Sequence, residues 1–301
     1  MCLPFPGAID YHKPGKPTVP NGLGVFYVIA SAAYLFALHA SHAFWGFPCE
    51  AVARGALPLA GCILFGGFLG LLDDWMDLRW RYKALTPIIA SLPLVALRQG
   101  NPVMATYIFG KVNFGLFYYI AIVPAIITIT TNTVNQLGGL NGLETLCPLV
   151  IMAGLALATI LGPAKAVVAE MAILLAVPIA ALAVLGALNF TGRIFVGNVG
   201  SFSAGITLAA YAIIANVEQA LLIAILPYVL NSSLILLNFF IWRRLPRLSM
   251  TSEGYLYAEH RRSLQTLLAY RRPTRERVLV LKIVLLFIIT SSLAVLATML
   301  S

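Results

Sequence analysis

Charge is what this 301-residue chain has least of: Asp, Glu, Lys and Arg together make up 10% of it. Soluble domains carry about a quarter, so the deficit argues against one, and a mean hydropathy of +0.90 points to the bilayer instead. Cysteine is also sparse. Cys2, Cys49, Cys62 and Cys147 are scattered, with no CxxC pair and no Cys/His spacing for zinc. They read as small apolar packing residues. His12, His39, His42 and His260 have no ligand spacing either. Met1 to Gly22 lacks the apolar core of a secretory signal and is rich in Pro and Gly. Internal repeats and low-complexity linkers are missing, so residues 1–301 are expected to form a single integral-membrane domain.

What the chain does have is long apolar runs. Nine are long enough to be transmembrane helices: roughly 22–39, 55–72, 84–98, 115–131, 143–162, 165–187, 200–217, 219–242 and 278–300. The predicted fold class is all-α, a polytopic transmembrane bundle of about nine spans. Pro124, Pro178 and Pro227 lie inside spans, where neighbouring helices can satisfy the freed carbonyls, so they predict kinks.

Alternating sides places the N-terminus and the loops after spans two, four, six and eight together. Fifteen of the 20 basic residues fall there, nine of them arginines between Arg243 and Arg277. Arg54, Arg98, Lys111 and Lys165 fall opposite, and Lys282 lies in the last span. By the positive-inside rule the basic side is cytosolic. The net charge of +9 therefore reads as basic loops beside a membrane, with no nucleic acid as partner. A transporter or channel needs ionisable groups near span centres; here the spans are nearly free of charge.

The polar clusters fall on the basic side too. DDWMDLRWRYK carries Asp73, Asp74 and Asp77, with Asp73 and Asp77 on one helical face. Arg79, Arg81 and Lys83 follow. Carboxylates beside a basic row suit a magnesium–diphosphate ligand, but also a solvated, internally paired loop. TNTVNQLGGLNGLE holds Asn132 and Asn135, three apart, and Asn141. Amides can coordinate a metal or read a base edge; equally, Asn141 with Glu144 three residues on reads as a helix cap. In GRIFVGNVGS the backbone N–H groups at a helix start could face phosphate, though Gly–Asn is also an ordinary turn. WRRLPRL opens the basic segment, whose arginines also suit an anionic leaflet.

In this order the clusters resemble the polyprenyl-phosphate N-acetylhexosamine-1-phosphate transferase superfamily (glycosyltransferase family 4), above all its eukaryotic and archaeal dolichyl-phosphate GlcNAc-1-phosphotransferase branch. DDWMDLRWRYKALTPIIASLPL is similar to the family's aspartate-rich loop, TNTVNQLGGLNGLE to its asparagine loop, RIFVGNVGSFSAG to its third motif and RRLPRL to its arginine loop. The histidine-rich motif of the bacterial translocases is missing from that last loop. The resemblance implies a ten-helix bundle with a cytosolic site. HKPGKPTVP resembles the loop after the family's first helix, so that helix is expected to be missing from this sequence.

The resemblance further implies transfer of N-acetylglucosamine 1-phosphate from UDP-GlcNAc to a polyprenyl or dolichyl phosphate, with release of UMP. Asp73, Asp74 and Lys83 correspond to catalytic positions, and Asn135 and Asn198 to ligands of Mg2+. Asn132, Asn141, Phe195, Arg244 and Asp77 are the substrate-binding expectations, with Asn141 and Phe195 on the uridine side and Arg244 on the diphosphate. Partners implied are the UDP-sugar, the polyprenyl phosphate, the lipid bilayer and a second copy of the chain. The membrane would be the plasma membrane in a prokaryote and the endoplasmic reticulum in a eukaryote. Two departures bear on activity. The family's first loop usually has an acidic residue and a Gly-Gly pair after its proline, whereas Asn21-Gly22-Leu23-Gly24 follows Pro20 here. The third motif usually reads Gly-Asp, whereas Gly197-Asn198 stands here and brings no charge to a cation. An impaired homologue or a binding subunit is the alternative reading that this motivates.

Overall fold

The structure, a computed structural model, describes residues 5–106, 110–162 and 169–300. Cys2, Lys165 and the first residues of the sixth predicted span lie outside them. A short hairpin, β1 (Gly7–Ile9) with β2 (Thr18–Pro20), precedes α1 (Gly24–Trp45) and α2 (Glu50–Met76). Next come α3 (Trp80–Leu85), α4 (Pro87–Ala90) and α5 (Leu92–Ala96), then a hairpin of β3 (Val103–Thr106) and β4 (Gly110–Asn113). A π-helical turn at Tyr118–Ile122 leads into α6 (Val123–Gln136), followed by α7 (Leu143–Leu161). A 3₁₀ turn at Met171–Leu175 leads into α8 (Ala176–Phe190), followed by α9 (Gly197–Ile214), α10 (Glu218–Ala224) and α11 (Leu226–Trp242). The small hairpin of β5 (Ser249–Met250) and β6 (Leu256–Tyr257), α12 (Leu264–Leu268) and α13 (Glu276–Leu300) complete the chain.

This is an all-helical polytopic membrane protein. Among the described residues six helices are long and apolar enough to cross a membrane, and α10 with α11, bent by 58°, make a seventh as a pair. Pro227 sits in the first turn of α11, at that bend. The third predicted span is broken into α3, α4 and α5, because Pro87 and Pro93 each begin a new short helix and cannot donate to the one before. The fourth begins in the π-helical turn, with Pro124 in the first turn of α6.

Helix α9 is the axis of the bundle: every residue from Val199 to Ile214 is buried. Its sequence is apolar or small all round, which suits a helix surrounded by others. It packs on α1, α2, α6 and α7. Without a hydrophobic driving force between helices in lipid, close backbone approach and polar ties hold such contacts. Tyr27 on α1 donates to Thr207 Oγ1 on α9 (2.7 Å), and Tyr211 on α9 donates to Thr159 Oγ1 on α7 (2.9 Å). Gly70 on α2 lies against the Asn198 carbonyl and Val199 Cα, so a β-carbon there would overlap backbone that cannot rotate away. Gly70→Ala is therefore expected to cost about 1–3 kcal/mol, read as a lower thermal midpoint in detergent.

Candidate active site

Contacts between helices join the polar clusters of the sequence: α3 to α6 through Asn132, α6 to α9 through Asn135, α2 to α9 through Asp74 and α3 to α11 through Trp80. Asp73 sits one turn before the end of α2, which stops at Asp77 in a left-handed conformation (φ +44°). The chain then doubles back through α3, which returns Lys83 to the carboxylates. Lys83 Nζ lies 2.9 Å from Asp73 Oδ1 and 3.7 Å from Asp77 Oδ1. Asp73 is only 2% exposed, and its Oδ1 also accepts the Leu78 N–H (3.1 Å). Its other oxygen, Oδ2, is buried with no hydrogen-bond partner among the described residues. A buried carboxylate oxygen without a donor is costly and calls for a ligand, a cation or a proton.

Asp74 faces the other way. Its two oxygens accept the backbone N–H groups of Asn198 (3.0 Å) and Val199 (3.2 Å), the second and third residues of α9. These are orphan donors at the positive end of a helix, and a carboxylate from a neighbouring helix satisfies them. Of the two readings open at GRIFVGNVGS, phosphate at these N–H groups is not the arrangement seen, because Asp74 occupies those of Asn198 and Val199. Asp74→Ala is expected to cost about 1–2 kcal/mol, with Asp74→Asn intermediate because one acceptor remains. Thermal unfolding of the two variants in one detergent would measure this.

Asn198 thus lies in the first turn of the central helix, and its side chain meets the asparagine loop. Asn135 Nδ2 donates to Asn198 Oδ1 (2.8 Å) and to Ser201 Oγ (2.9 Å). Asn132 points elsewhere, donating to the carbonyls of Ala84 (3.1 Å) and Thr128 (2.9 Å), and so ties α6 to α3. The structure therefore brings together Asp73, Asp77 and Lys83, and joins Asp74 to Asn198 and Asn135.

A second cluster adjoins the first. Asn141 does not cap α7, which begins at Leu143 with Gly142 (φ +107°) at the cap position. Asn189 Oδ1 accepts the Gly142 N–H instead (2.9 Å). Asn141 Nδ2 donates to Asp10 Oδ2 (2.8 Å) and Glu276 Oε1 (2.9 Å), leaving Asn141 Oδ1 buried and unpartnered among the described residues. Lys13 Nζ pairs with Asp10 at 3.4 Å, and Gly192 leaves room for it. Phe195 belongs to the segment that docks the N-terminal hairpin: its N–H donates to the Pro20 carbonyl (2.8 Å) and its own carbonyl accepts the Leu23 N–H (3.2 Å).

Sequence reasoning passed over Asp10 and Glu276. The available signal was scarcity, since only 11 acidic residues exist and each one in a basic loop is informative.

Arg244 follows α11 and lines a cavity of about 440 Å³ with Arg243, Arg247, Glu259, His260 and Arg262. No hydrogen bond or ion pair among the described residues joins Arg244 to the carboxylates. Trp80 on α3 packs edge-on against Phe239 of α11 (6.3 Å), which couples the two segments. Arg247 also lines the adjoining cavity with His12, Gln136 and Gly138. Burial, and then the charge of Arg262, hold the His260 imidazole below the ordinary histidine range. The positive charge of this cavity thus comes from its arginines.

A bundle of membrane helices with acidic, amide and guanidinium side chains in the loops and helix ends that follow its spans defines a polytopic membrane protein. Comparison with known proteins sharpens the class. Residues 56–216 match glycosyl transferase family 4, and the chain belongs to that family. It is 32% identical over 223 residues (74% of this chain, 66% of the relative) to the putative UDP-N-acetylglucosamine–dolichyl-phosphate N-acetylglucosaminephosphotransferase of Saccharolobus solfataricus. It is 26% identical over 262 residues (74% and 63%) to the corresponding transferase of Dictyostelium discoideum. The phospho-N-acetylmuramoyl-pentapeptide-transferase of Streptococcus thermophilus is 30% identical over 243 residues (75% and 66%). The similarity spans just under two thirds of the length of each of these relatives.

Proposed function

We propose that the chain transfers N-acetylglucosamine 1-phosphate from UDP-GlcNAc to a polyprenyl phosphate such as dolichyl phosphate, releasing UMP at the cytosolic face. The observation that carries this reading is the buried Asp73, paired with Lys83 and with its Oδ2 unpartnered, directly beside Asp74, which holds Asn198 and through it Asn135 at the start of α9. Family membership and the names of the relatives support the reaction class.

In this reading an acceptor phosphate oxygen bonds to the sugar-proximal phosphorus. The bond from that phosphorus to the bridging oxygen breaks, and UMP leaves with the bridging oxygen and its electron pair. Such a transfer needs in-line placement and charge neutralisation more than covalent help. Asp73 Oδ2 faces the acceptor or its counter-cation, and Lys83, shared between two carboxylates, supplies positive charge to phosphate oxygens. Asp74 acts through α9 by fixing Asn198. Asn141 presents a buried acceptor held in place by Asp10 and Glu276, which suits the imide N–H of uracil, and Phe195, in the segment that docks the N-terminal hairpin, offers an aromatic face. Arg244 answers the diphosphate from the arginine cavity.

No group of three or more His, Cys, Asp or Glu side chains suits a metal among the described residues. The oxygen donors at hand are the unpartnered Asp73 Oδ2, the exposed Asp77 carboxylate and two amides. That set fits magnesium, which commonly takes one or two carboxylates and completes its shell with water and substrate phosphate. When bound it would neutralise the diphosphate charge. The test is UMP release by the purified full chain from UDP-GlcNAc. Release is expected only with polyprenyl phosphate and magnesium both present; no release under any condition would refute the reading.

A further inference from the structure

A second basic cavity lies outside the clusters used above. It measures about 430 Å³ and is lined by Arg261, Leu267, Leu268, Tyr270, Arg271 and Arg272. It shares no lining residue with the arginine cavity of Arg244 or with the cavity at Gln136. We propose that it is a binding site for the phosphate headgroup of an anionic glycerophospholipid, seated at the membrane surface beside the foot of α13.

Three features argue for this ligand. The first is unspent charge. The ion pairs among the described residues involve Lys13, Arg54 and Lys83, and none of the nine arginines between Arg243 and Arg277 lies within ion-pair distance of a carboxylate. Three guanidinium groups around one cavity with no acidic lining residue repel one another unless an anion joins them; guanidinium forks match phosphate oxygens well.

The second feature is preorganisation. The Arg261 guanidinium lies 4.3 Å and that of Arg271 5.3 Å from the Tyr270 ring centroid, so one ring holds two cations in place. The backbone beneath is fixed as well: Ala258 N–H donates to Ala269 O (3.1 Å) and Arg271 N–H to Ala258 O (2.9 Å). Arg271 is held at φ +52°, a conformation uncommon for a side chain of its size.

The third feature is position. Arg272 is four residues before Glu276, where the membrane-spanning α13 begins. Four residues reach at most about 14 Å, so the cavity stays within the headgroup layer and its edge. Leu267 and Leu268 give it an apolar side of the kind that a lipid glycerol and upper acyl chain require, whereas a soluble phosphate would leave them uncovered. The cavity also has a route to the active site. Gln265, on the same short helix α12, donates to the carbonyls of Leu137 (3.1 Å) and Gly138 (2.9 Å) in the asparagine loop. A lipid seated on α12 would steady that loop.

The experiment places the full chain in phosphatidylcholine nanodiscs. It titrates phosphatidylglycerol bearing a tail fluorophore, read by energy transfer from the tryptophans. Selective binding of phosphatidylglycerol is expected, weakened about fivefold for each arginine removed, hence on the order of a hundredfold in R261Q/R271Q/R272Q. Should the triple variant fail to fold, R272Q alone removes an exposed side chain and is expected to lose about fivefold. Tyr270→Leu keeps the apolar volume and is expected to lose about threefold through the freed guanidiniums, and Arg54→Gln is expected to lose nothing. Unchanged binding in R272Q or the triple variant would overturn the proposal. So would displacement of the lipid by equimolar glycerol 3-phosphate, which would make the cavity a site for soluble phosphate.

Discussion

Asp73→Asn is expected to reduce UMP release by about a thousandfold while the protein remains folded and extractable. The carboxylate is 2% exposed, yet only one of its oxygens is spent on the protein, on Lys83 and the Leu78 N–H. The amide variant keeps a carbonyl oxygen for those contacts, so the end of α2 holds. What it loses is the negative charge at the unpartnered Oδ2 and the capacity to take a proton there. Removing one preorganised group from a dry electrostatic site costs roughly 10²–10³ in rate, and loss of proton acceptance adds to that. Lys83→Ala should be comparably inactive but less stable. It strips the cation from a buried carboxylate, whereas Lys83 in the Asp73 variant still has Asp77 at 3.7 Å. Activity in Asp73→Asn within tenfold of the parent would remove Asp73 from the mechanism.

The second large effect runs in the opposite direction. Asn198→Asp is expected to lower the magnesium concentration for half-maximal UMP release tenfold or more and to raise turnover. The substitution is nearly isosteric. The acceptor that Asn135 Nδ2 reaches at 2.8 Å is retained and becomes charged, which shortens and strengthens that bond. A carboxylate also attracts a hard cation that an amide serves only weakly. The backbone N–H of Asn198 stays on Asp74, while the side-chain hydrogen bond from Asn198 to Asp74 gives way to a contact between two carboxylates, which a bound cation relieves. If the parent chain were inactive and Asn198→Asp active, the chain would be an impaired homologue with the defect located at this position. Unchanged magnesium dependence in the variant would show that residue 198 does not serve the cation.

Much of this arrangement was legible in the sequence, and the rest was not for identifiable reasons. Apolar runs marked α1, α2, α7 and α13 because in lipid the length of a run is itself the constraint. The run at 84–98 does not form one helix, since Pro87 and Pro93 outweigh its hydropathy. The asparagine loop and the third motif were visible as clusters, but their division of labour depends on contacts between helices. Asp74 and Asp73 are adjacent in the chain, yet a helix turns successive side chains about 100° apart. One reaches α9 while the other reaches Lys83. Asn141 carried the signature of a helix cap, but Gly142 takes that position, and the amide turns to Asp10, 131 residues away, and Glu276, 135 residues away. No local pattern announces a partner at that separation.

In the proposed reaction phosphorus, and not the sugar alone, moves from nucleotide to lipid. The most direct measurement uses UDP-GlcNAc labelled at the sugar-proximal phosphorus, incubated with the full chain, polyprenyl phosphate and magnesium, and followed by solvent partition. Label is expected to enter the lipid phase in a one-to-one ratio with UMP formed, and Asp73→Asn is expected to abolish both. Label remaining in the aqueous phase as UDP while the sugar appears on lipid, or no transfer at all, would contradict the proposed reaction.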